Sequence, residues 1–565
     1  MTILIFDKSK KLPSHHKYCD DPINVIYQFF IPESTERLKE IQTALIKNVK
    51  NKAINKIYLL NERIYTDSEL GISSDKIVQY NIKSRLSFAI VYKFVNEHNI
   101  KGFNCAINSD IYFDSTVSKL RTSGINETKT AVTLLRHNVL EAKNRDVLKK
   151  ENCKSKLFGP TCLSQDCWIV HSNNKFLGKD LKLFSFWFGI PGCDNKMVYL
   201  YKILGYDVIN DPDTVKTYHL HRDPTRNYAH NKMAAPYAFL FPCGMDPMKE
   251  AVYRNKDFNT IGLLCNNFND FKFDDNKVLY EYVSKKISSN ESFVIPRIAG
   301  IENNYAVIGQ KIKKEKLNDN EVSYISATSK VMKNNAGITL EKGAESIIDY
   351  SDKYLSCFTK CELYAGWEPW GAVYGGINGS HNFMRDAFPE KKIIWAFAFD
   401  IFHYIRSNPW TLALKGKRLL IISPFIESMK EKLAYREKIY GIDLFPDCEF
   451  VFVKPPQTQG DEPSQDFSVE LQKFTDKLDT ISDTYDIALC SAGGYGNLIC
   501  DYIYSQGKSA IYVGGVLQMY FGIYGTRWLR ERPEVIKLYM NHYWSRPTEK
   551  EKPSNSVNIE GNCYW

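Results

Sequence analysis

Residues 417–424 read KRLLIISP, an apolar run of strand length that ends at a proline. Continuous aliphatic runs are typical of strands that a parallel sheet buries on both faces. Three more runs of this kind follow at residues 448–455 (CEFVFVKP), 485–492 (YDIALCSA) and 509–514 (SAIYVG). Amphipathic stretches that predict helices lie between them, at residues 427–440, 466–479 and 495–505. This alternation predicts an open α/β sheet in the second half of the chain.

The first half of the chain begins with a strand–helix–strand pattern. Residues 25–30 (VIYQFF) and 56–60 (KIYLL) predict strands, and residues 34–49 between them repeat apolar side chains every three or four positions. A βαβ unit of this kind binds ligands beyond the carboxyl ends of its strands. Asn61 and Glu62, which follow the second strand, are therefore expected at that edge of the sheet.

The length of 565 residues exceeds what one hydrophobic core usually supports, and a change of texture along the chain predicts two domains. We expect a first domain at residues 1–245 and a second at residues 289–540. The linker region between them, residues 246–288, is polar and rich in Asn, Asp and Lys. A C-terminal extension at residues 541–565 lacks periodicity and is expected to pack poorly.

Composition excludes several classes of protein. The 74 Lys and Arg residues exceed the 65 Asp and Glu residues by a formal charge of +9, a mild excess that gives no sign of nucleic-acid binding. No apolar run approaches the roughly 18–20 residues that a membrane span needs, and the N-terminus lacks a signal-peptide core. The 14 cysteines form no CxxC pair. Reduced thiols in the cytoplasm are therefore expected, in the host cytoplasm or virus factory if the protein is viral.

The sharpest motif of the first half is NSDIYFD at residues 108–114, which follows the apolar stretch at residues 103–107. A carboxylate at the end of a buried strand can hold Mg²⁺ or Mn²⁺ against a diphosphate, because both cations prefer oxygen ligands. Asp110 is the candidate for that role. Since Asn, Ser and Asp are also turn formers, a purely structural turn is the alternative.

Two acids and two histidines follow downstream. Asp166 lies in the motif SQDCW, and Asp194 follows a glycine turn in the motif PGCDN. A buried salt bridge is the structural alternative for Asp166, and a helix cap is the alternative for Asp194. His219 and His221 end an extended run, so both imidazoles point to the same face, where they share a metal or pack.

The order of these motifs resembles a GT-A-type glycosyltransferase domain, of the sort found in bacterial and giant-virus surface-glycan enzymes. The resemblance covers about residues 20–242 and implies a nucleoside-diphosphate sugar bound over the βαβ half, with Mn²⁺ or Mg²⁺ on a DxD-like acid. Asp110 matches that acid, and Asn108 stands at the first acidic position of the motif. The motifs that carry the resemblance are NVIYQFF, KIYLLNERIY, KSRLSF, NSDIYFD, LFGP, SQDCW, PGCDNKMVYL, GYDVINDP and VKTYHLH.

Carried over residue by residue, the resemblance implies a set of donor, metal and acceptor contacts. One acid that faces the acceptor would be the general base that takes the proton of the acceptor hydroxyl, and Asp194 is our choice. The implied contacts are Asn61, Glu62, Arg85 and Asn108 for the nucleotide, Asp110 with His219 or His221 for the metal, and Asp166 and Asp194 for the acceptor.

A glycine-rich turn in the second half, SAGGYGN at residues 491–497, ends a strand and opens a helix. Backbone amides at such a turn attract phosphate, which makes Gly493, Gly494 and Gly496 candidate nucleotide contacts. Tight strand–helix packing is the alternative. Together with GWEPW at residues 366–370, NPW and Glu427, this turn resembles the GT-D class of glycosyltransferase-like domains over about residues 286–530.

The GT-D resemblance implies a donor and metal contact at Glu302. This residue ends the stretch RIAGIE, in which Gly300 stands at the position of a second acid. Trp367 and Trp370 flank an acid in a Gly/Pro context and are the candidate platform for the acceptor sugar.

The sequence thus predicts an α/β glycosyltransferase with a GT-A-like domain followed by a GT-D-like domain. The enzyme would move a sugar from a nucleoside-diphosphate sugar, with UDP-sugar favoured, to a hydroxyl of a glycan or glycoprotein. If both domains are active, it installs two successive sugars. Inversion is favoured because no dedicated nucleophile is visible, and a homodimer is left open. Replacing Asp110 by Ala is expected to abolish turnover and leave the melting temperature nearly unchanged.

Two rival interpretations stay open. The altered acids, Asn108 and Gly300, favour a catalytically decayed carbohydrate-binding or scaffold protein of glycan assembly. A sugar-modifying oxidoreductase would bind NAD(P) near residues 493–496, although the GxGxxG fingerprint is missing there.

Overall fold

The computed structural model describes residues 4–141, 143–159, 162–220, 232–234, 236–244, 274–366, 380–553, 556–559 and 561–565. These residues form two compact units, one on each side of the gap between residues 244 and 274. Both units are mixed α/β structures that contain parallel strands.

The first unit contains thirteen described strands and six described α-helices. Its strands are β1 (Leu4–Lys8), β2 (Ile23–Tyr27), β3 (Lys56–Asn61), β4 (Ile77–Asn81), β5 (Phe103–Ile107), β6 (Ile111–Phe113), β7 (Thr130–Leu135), β8 (His137–Val139), β9 (Ser155–Leu157), β10 (Gln165–His171), β11 (Asp207–Ile209), β12 (Thr217–His219) and β13 (Tyr237–Phe241). Its helices are α1 (Thr35–Lys50), α2 (Asp67–Leu70), α3 (Phe88–Glu97), α4 (Asn144–Lys149), α5 (Gly178–Lys182) and α6 (Cys193–Ile203).

A seven-stranded sheet in the order β11-β7-β10-β5-β2-β3-β4 forms the centre of this unit. The strands β5, β2, β3 and β4 run parallel, and β10 runs antiparallel between β5 and β7. The predicted βαβ unit is confirmed as β2, α1 and β3. Helix α1 begins after Ser34, whose hydroxyl accepts the N–H of Arg37, and it buries Ile41, Leu45 and Val49 against the sheet.

Because β10 is antiparallel, its first residues lie at the same edge of the sheet as the carboxyl ends of β5 and β7. A second, four-stranded sheet in the order β6-β12-β8-β9 continues from this edge. The turn between β5 and β6 therefore joins the two sheets, and it contains Asn108 and Asp110. The topology brings Asn108, Asp110 and Asp166 to this edge.

The second unit contains seven described strands and twelve described α-helices. Its strands are β14 (Val294–Ile295), β15 (Leu363–Gly366), β16 (Lys392–Trp395), β17 (Arg418–Ile422), β18 (Glu449–Val453), β19 (Ile487–Cys490) and β20 (Ser509–Tyr512). Its helices are α7 (Asp275–Ser288), α8 (Gly300–Lys314), α9 (Asp319–Val331), α10 (Ala344–Lys360), α11 (Ser380–Ala387), α12 (Ile426–Lys432), α13 (Arg436–Tyr440), α14 (Phe467–Asp479), α15 (Gly496–Ser505), α16 (Leu517–Tyr520), α17 (Thr526–Glu531) and α18 (Pro533–Tyr539).

The four predicted strands of the second unit are confirmed as β17, β18, β19 and β20, in a parallel sheet of order β14-β20-β19-β17-β18. A single parallel bridge between Arg297 and Ala365 links this sheet to the pair β15 and β16. The predicted helices at residues 466–479 and 495–505 are confirmed as α14 and α15. The helix predicted at residues 427–440 is divided into α12 and α13 by a short 3₁₀ turn.

The structure differs from the expected linker at residues 246–288, because residues 275–288 form helix α7. Although most residues of this helix are polar, it has a short apolar face formed by Leu279 and Val283, both of which are buried. Asp275, the first residue of the helix, is also buried, and its carboxylate accepts the N–H of Trp395 (2.6 Å). Residues that resemble a linker in composition thus bond to the backbone of a neighbouring segment.

The expectation of a poorly packed tail is wrong. The Glu551 carboxylate accepts the backbone N–H groups of Glu427 (2.8 Å) and Ser428 (3.2 Å), and so it caps the start of α12. Ile559 and Trp565 are buried, and the ring of Trp565 packs edge-on against Phe425. Capping and a few apolar anchors hold this segment, and neither produces a periodic sequence pattern. In the described parts of both units, no helix has the length and apolar character that a bilayer crossing requires.

Candidate functional site

Asp110 lies in the turn between β5 and β6 and is buried. Its Oδ2 atom accepts a hydrogen bond from Arg37 Nη2 (2.6 Å) and lies 3.0 Å from His219 Nε2. Strand β12 brings His219 there by pairing antiparallel with β6, and the Leu220 N–H donates to the Asp110 carbonyl (3.1 Å). Asp110 and His219 are thus in contact, and their role as metal ligands stays a prediction. His221 lies outside the described residues.

Arg37 and Glu40 were missed in the sequence. Arg37 Nη1 donates to Glu40 Oε2 (2.8 Å), so the guanidinium bridges the carboxylates of Glu40 and Asp110. Both residues lie on α1, three positions apart, a spacing that places them on one side of a helix. That spacing was the available signal. The partner in the turn, 73 positions further along, cannot be read from it.

Two neighbouring side chains, His219 and Arg37, act on the Asp110 carboxyl group. Burial alone would raise its pKa, but the neighbouring His219 and Arg37 outweigh burial and hold the pKa well below the ordinary value. Burial lowers the pKa of the Arg37 guanidinium. The carboxylates of Asp110 and Glu40 raise that pKa by more than burial lowers it, so the net shift is upward. Both groups are therefore held in their charged forms, and together they make a buried ion-pair cluster.

The residues of this cluster are a poor match for a divalent cation. No group of three or more His, Cys, Asp or Glu side chains suited to a metal occurs among the described residues. In addition, the guanidinium of Arg37 is 2.6 Å from the Asp110 oxygen, and its permanent charge would repel a cation bound there. The described residues at Asp110 do not fit Mn²⁺ or Mg²⁺, and we derive no step through a metal. Metal dependence stays a prediction.

Asp166, the second residue of β10, is held in a buried salt bridge. Arg136 Nη1 donates to its Oδ2 (2.5 Å), and Asn108 Nδ2 donates to its Oδ1 (2.7 Å). All three side chains meet at the carboxyl edge of the sheet, and Arg136, which follows β7, was missed in the sequence. Both carboxylate oxygens are engaged. Asp166 therefore forms the buried salt bridge that was its structural alternative. Asn108 supports this salt bridge through its hydrogen bond to Asp166.

Asp194 lies half-buried in the first turn of α6, and its carboxylate, unlike that of Asp166, is not bound by a guanidinium of the described residues. Its Oδ2 accepts the backbone N–H of Ser164 (2.7 Å). Ser164 has a φ of 67°, a left-handed conformation that a non-glycine residue rarely adopts and that often marks a functional site. Among the residues described, none forms an ion pair with Asp194. Its carboxylate is thus available for a proton.

The pKa of Asp194 is raised. Burial is the main cause, and the negative charge of Asp166 adds to it, while the backbone N–H groups of Asn195 and Ser164 offset the shift in part. A carboxylate with a raised pKa is a stronger base than an ordinary aspartate. The two acids predicted to face the acceptor therefore influence each other electrostatically but differ in their partners. Asp166 is ion-paired with Arg136, and Asp194 has no ion pair among the described residues.

The three predicted nucleotide contacts after β3 and β4 differ from one another. The Asn61 side chain is buried, accepts the Phe29 N–H (2.8 Å) and donates to Gln79, so it ties neighbouring strand ends together. Glu62 is exposed. Arg85 Nη2 donates to the Phe188 carbonyl (2.7 Å), and no carboxylate of the described residues lies within 4.0 Å of its guanidinium. Arg85 therefore brings an unbalanced positive charge to this edge.

In the second unit, close packing accounts for the three glycines of the turn after β19. A Cβ atom on Gly493 would lie 2.9 Å from the Ala336 carbonyl oxygen, and one on Gly494 would lie 2.4 Å from the Ile338 side chain. On Gly496 it would lie 2.2 Å from the ring of Tyr512. Because real Cβ atoms essentially never come this close to another atom, packing alone explains glycine at each position without any ligand. The phosphate role of these glycines stays a prediction.

Charged residues also collect at the carboxyl edge of the second sheet. Arg297 follows β14 and donates to the Val513 carbonyl (2.5 Å), and Glu302 is buried in the first turn of α8. Asp400 is buried and ion-paired with Arg532 (3.1 Å), and burial raises its pKa even though the charges of Arg532 and Arg297 lower it. Asp400 and Arg532 were missed in the sequence. Trp367 and Trp370 lie outside the described residues.

Comparisons with known proteins give no family. No family model matches the chain, and no curated protein matches it. Among solved structures, the chain is similar to a new glycosyltransferase (DUF1792) from Streptococcus sanguinis, with a TM-score of 0.24 and 10% sequence identity. The match covers 50% of this chain and 97% of the other. A TM-score this low gives the likeness no weight in the assignment of function.

Proposed function

We propose that the protein is a glycosyltransferase that moves a sugar from a nucleoside-diphosphate sugar, with UDP-sugar favoured, to a hydroxyl of a glycan or glycoprotein. The observation that carries the proposal is the Asp194 carboxylate. It lacks an ion pair within the described structure, has a raised pKa and is held by a strained backbone at the ligand-binding edge of an α/β sheet.

In this proposal the positive charge of Arg85 faces the donor. Breaking the bond between the anomeric carbon and the diphosphate leaves negative charge on the departing phosphate. A guanidinium whose charge no nearby carboxylate cancels can stabilise that charge as it develops. Its hydrogen bond to the Phe188 carbonyl fixes the guanidinium beforehand, so little reorganisation is needed during the reaction.

Asp194 acts as the general base. Its carboxylate takes the proton of the acceptor hydroxyl while the hydroxyl oxygen bonds to the anomeric carbon and the diphosphate leaves with the bonding electrons. A single displacement without an enzyme nucleophile inverts the configuration at that carbon. Asp166 stays paired with Arg136, and its charge helps keep the pKa of Asp194 raised.

The Asp110 cluster has a positioning role. Arg37 and His219 hold the turn that contains Asn108, and Asn108 in turn holds Asp166. We therefore assign Asp110 to holding this edge of the sheet in place.

The test is turnover of UDP-, GDP- and dTDP-sugars by the purified full-length chain, with and without Mn²⁺, comparing the wild type with Asp194→Asn. The matched control is Asp75→Asn, an exposed aspartate of the same unit that precedes β4. We expect donor consumption by the wild type and the control, and a loss of about 10²–10⁴-fold in Asp194→Asn. Equal rates in Asp194→Asn and the wild type would contradict the assignment.

A catalytically decayed carbohydrate-binding or scaffold protein is the second candidate. The ion pair between Arg37 and Asp110 favours it, because this pair occupies the acid that the resemblance gave to the metal. This candidate predicts no donor consumption in the same assay, and no thermal shift with any nucleotide sugar.

A further inference from the structure

Trp187 is an exposed aromatic residue between two that face inward. Its side chain is 48% exposed, while Phe186 and Phe188 pack on Phe88, with ring centroids 5.2 and 3.9 Å away. Successive residues of an extended segment point to opposite sides, so the inward packing of its two neighbours turns Trp187 outward.

The backbone of this segment is fixed. Residues 186–188 pair with residues 86–88 through the hydrogen bonds Phe88 N–H to the Phe186 carbonyl (3.2 Å) and Phe188 N–H to the Leu86 carbonyl (3.3 Å). An antiparallel bridge joins Trp187 itself to Ser87. The indole is therefore presented to solvent by a rigid support, which lowers the entropy lost when a ligand binds to it.

One side of the indole is already occupied. The Arg85 guanidinium lies 5.4 Å from the ring centroid, and its hydrogen bond to the Phe188 carbonyl keeps it there. Within the described structure, no other aromatic ring packs on Trp187. The arrangement is a single flat apolar surface beside a cation.

This surface belongs to the same edge as the two acids. Trp168 packs edge-on against Phe188, with ring centroids 5.7 Å apart. On β10, Trp168 follows Asp166 by two residues. Trp187 is also only seven residues before Asp194, and the turn between them contains an Ile190 carbonyl to Cys193 N–H bond (3.0 Å).

We propose that Trp187 is the platform on which a pyranose ring of the acceptor stacks, placing the acceptor hydroxyl toward Asp194. A pyranose presents C–H groups on one flat face, which suits an exposed indole on a fixed backbone. The inference rests on the proposed function for the role of Asp194 and Arg85. It names the substrate class of the acceptor side, which neither Asp166 nor Asp194 defines.

The first experiment measures binding without turnover. Saturation-transfer NMR of the full-length chain uses methyl β-D-glucopyranoside, methyl β-D-galactopyranoside and methyl N-acetyl-β-D-glucosaminide as probes. We compare Trp187→Ala, Trp187→Phe and Tyr18→Ala, the last being a similarly exposed aromatic residue (55%) that is distant from Trp187 in the sequence. Transfer to the sugar ring protons should be lost in Trp187→Ala and kept in the other two. Equal transfer in Trp187→Ala and the wild type would overturn the proposal.

The second experiment separates the platform from the proposed function. With a donor and acceptor that the wild type uses, the acceptor KM should rise about tenfold in Trp187→Ala, with donor KM and donor hydrolysis by water within twofold. A rise in donor KM alone would overturn the platform by assigning Trp187 to the nucleotide. If the wild type consumes no donor yet the probes bind through Trp187, the proposed function fails and the sugar platform stands.

Discussion

Removing the Asp110 carboxylate is expected to lower the stability of the first unit. The sequence predicted that Asp110→Ala would leave the melting temperature nearly unchanged. In the structure, the variant removes one carboxylate partner of the largely buried Arg37 and one partner of the buried His219. Removing one partner of a buried ion pair costs about 3–5 kcal/mol. For a unit of this size, each kcal/mol corresponds to about 2–4 °C in melting temperature.

The assay is urea unfolding of the full-length chain, followed by circular dichroism, for the wild type, Asp110→Ala and a control. The control is Glu36→Ala on α1, the helix that contains Arg37; Glu36 is an exposed acid (68%) paired with Lys39, and a loss below about 1 kcal/mol is expected. If Asp110→Ala unfolds at the same urea concentration as Glu36→Ala, the buried cluster does not hold the edge of the sheet, and the positioning role is refuted.

Three further predictions follow from the same geometry. Because the pKa of Asp194 is raised above its ordinary value of 3.8, the acid limb of kcat/KM should lie above that pH and disappear in Asp194→Asn. Because the pKa of Asp110 is lowered on folding, its contribution is complete above the unfolded pKa of about 3.9 and is lost as the pH falls through the folded pKa. Acid unfolding of Asp110→Asn should therefore depend less on pH below about 4 than that of the wild type. Finally, Gly496→Ala should destabilise the second unit by about 1–3 kcal/mol through overpacking against Tyr512, and Tyr512→Leu in the same chain should recover part of that loss in a urea titration.

The secondary structure was predictable where apolar residues follow a local period. The runs that became β17 to β20 and the helix α1 are examples, because burial on two faces or on one helical stripe is recorded in adjacent residues. The tail was not predictable in this way. Its packing depends on Glu551 capping a helix that begins 125 residues earlier, a contact that no period reports.

The candidate site was predictable in part for the same reason. Strand order places Asp110 and Asp166 at one edge, where Asp194 accepts the Ser164 N–H, and the motifs that contain these acids could be found in the sequence. The partners of these acids could not be found in this way. Arg37 and Arg136 lie in segments whose sequence predicts only a helix and the end of a strand. Which carboxylate is neutralised by a guanidinium and which is left available depends on these partners.

The most direct test of the account is a crystal structure of the full-length chain with UDP and Mn²⁺, which shows where the diphosphate binds. We predict diphosphate density within hydrogen-bonding distance of the Arg85 guanidinium, beside Asp194, with the Arg37–Asp110 ion pair intact. Nucleotide bound in the second unit alone, or Mn²⁺ bound to Asp110 with Arg37 displaced, would contradict it.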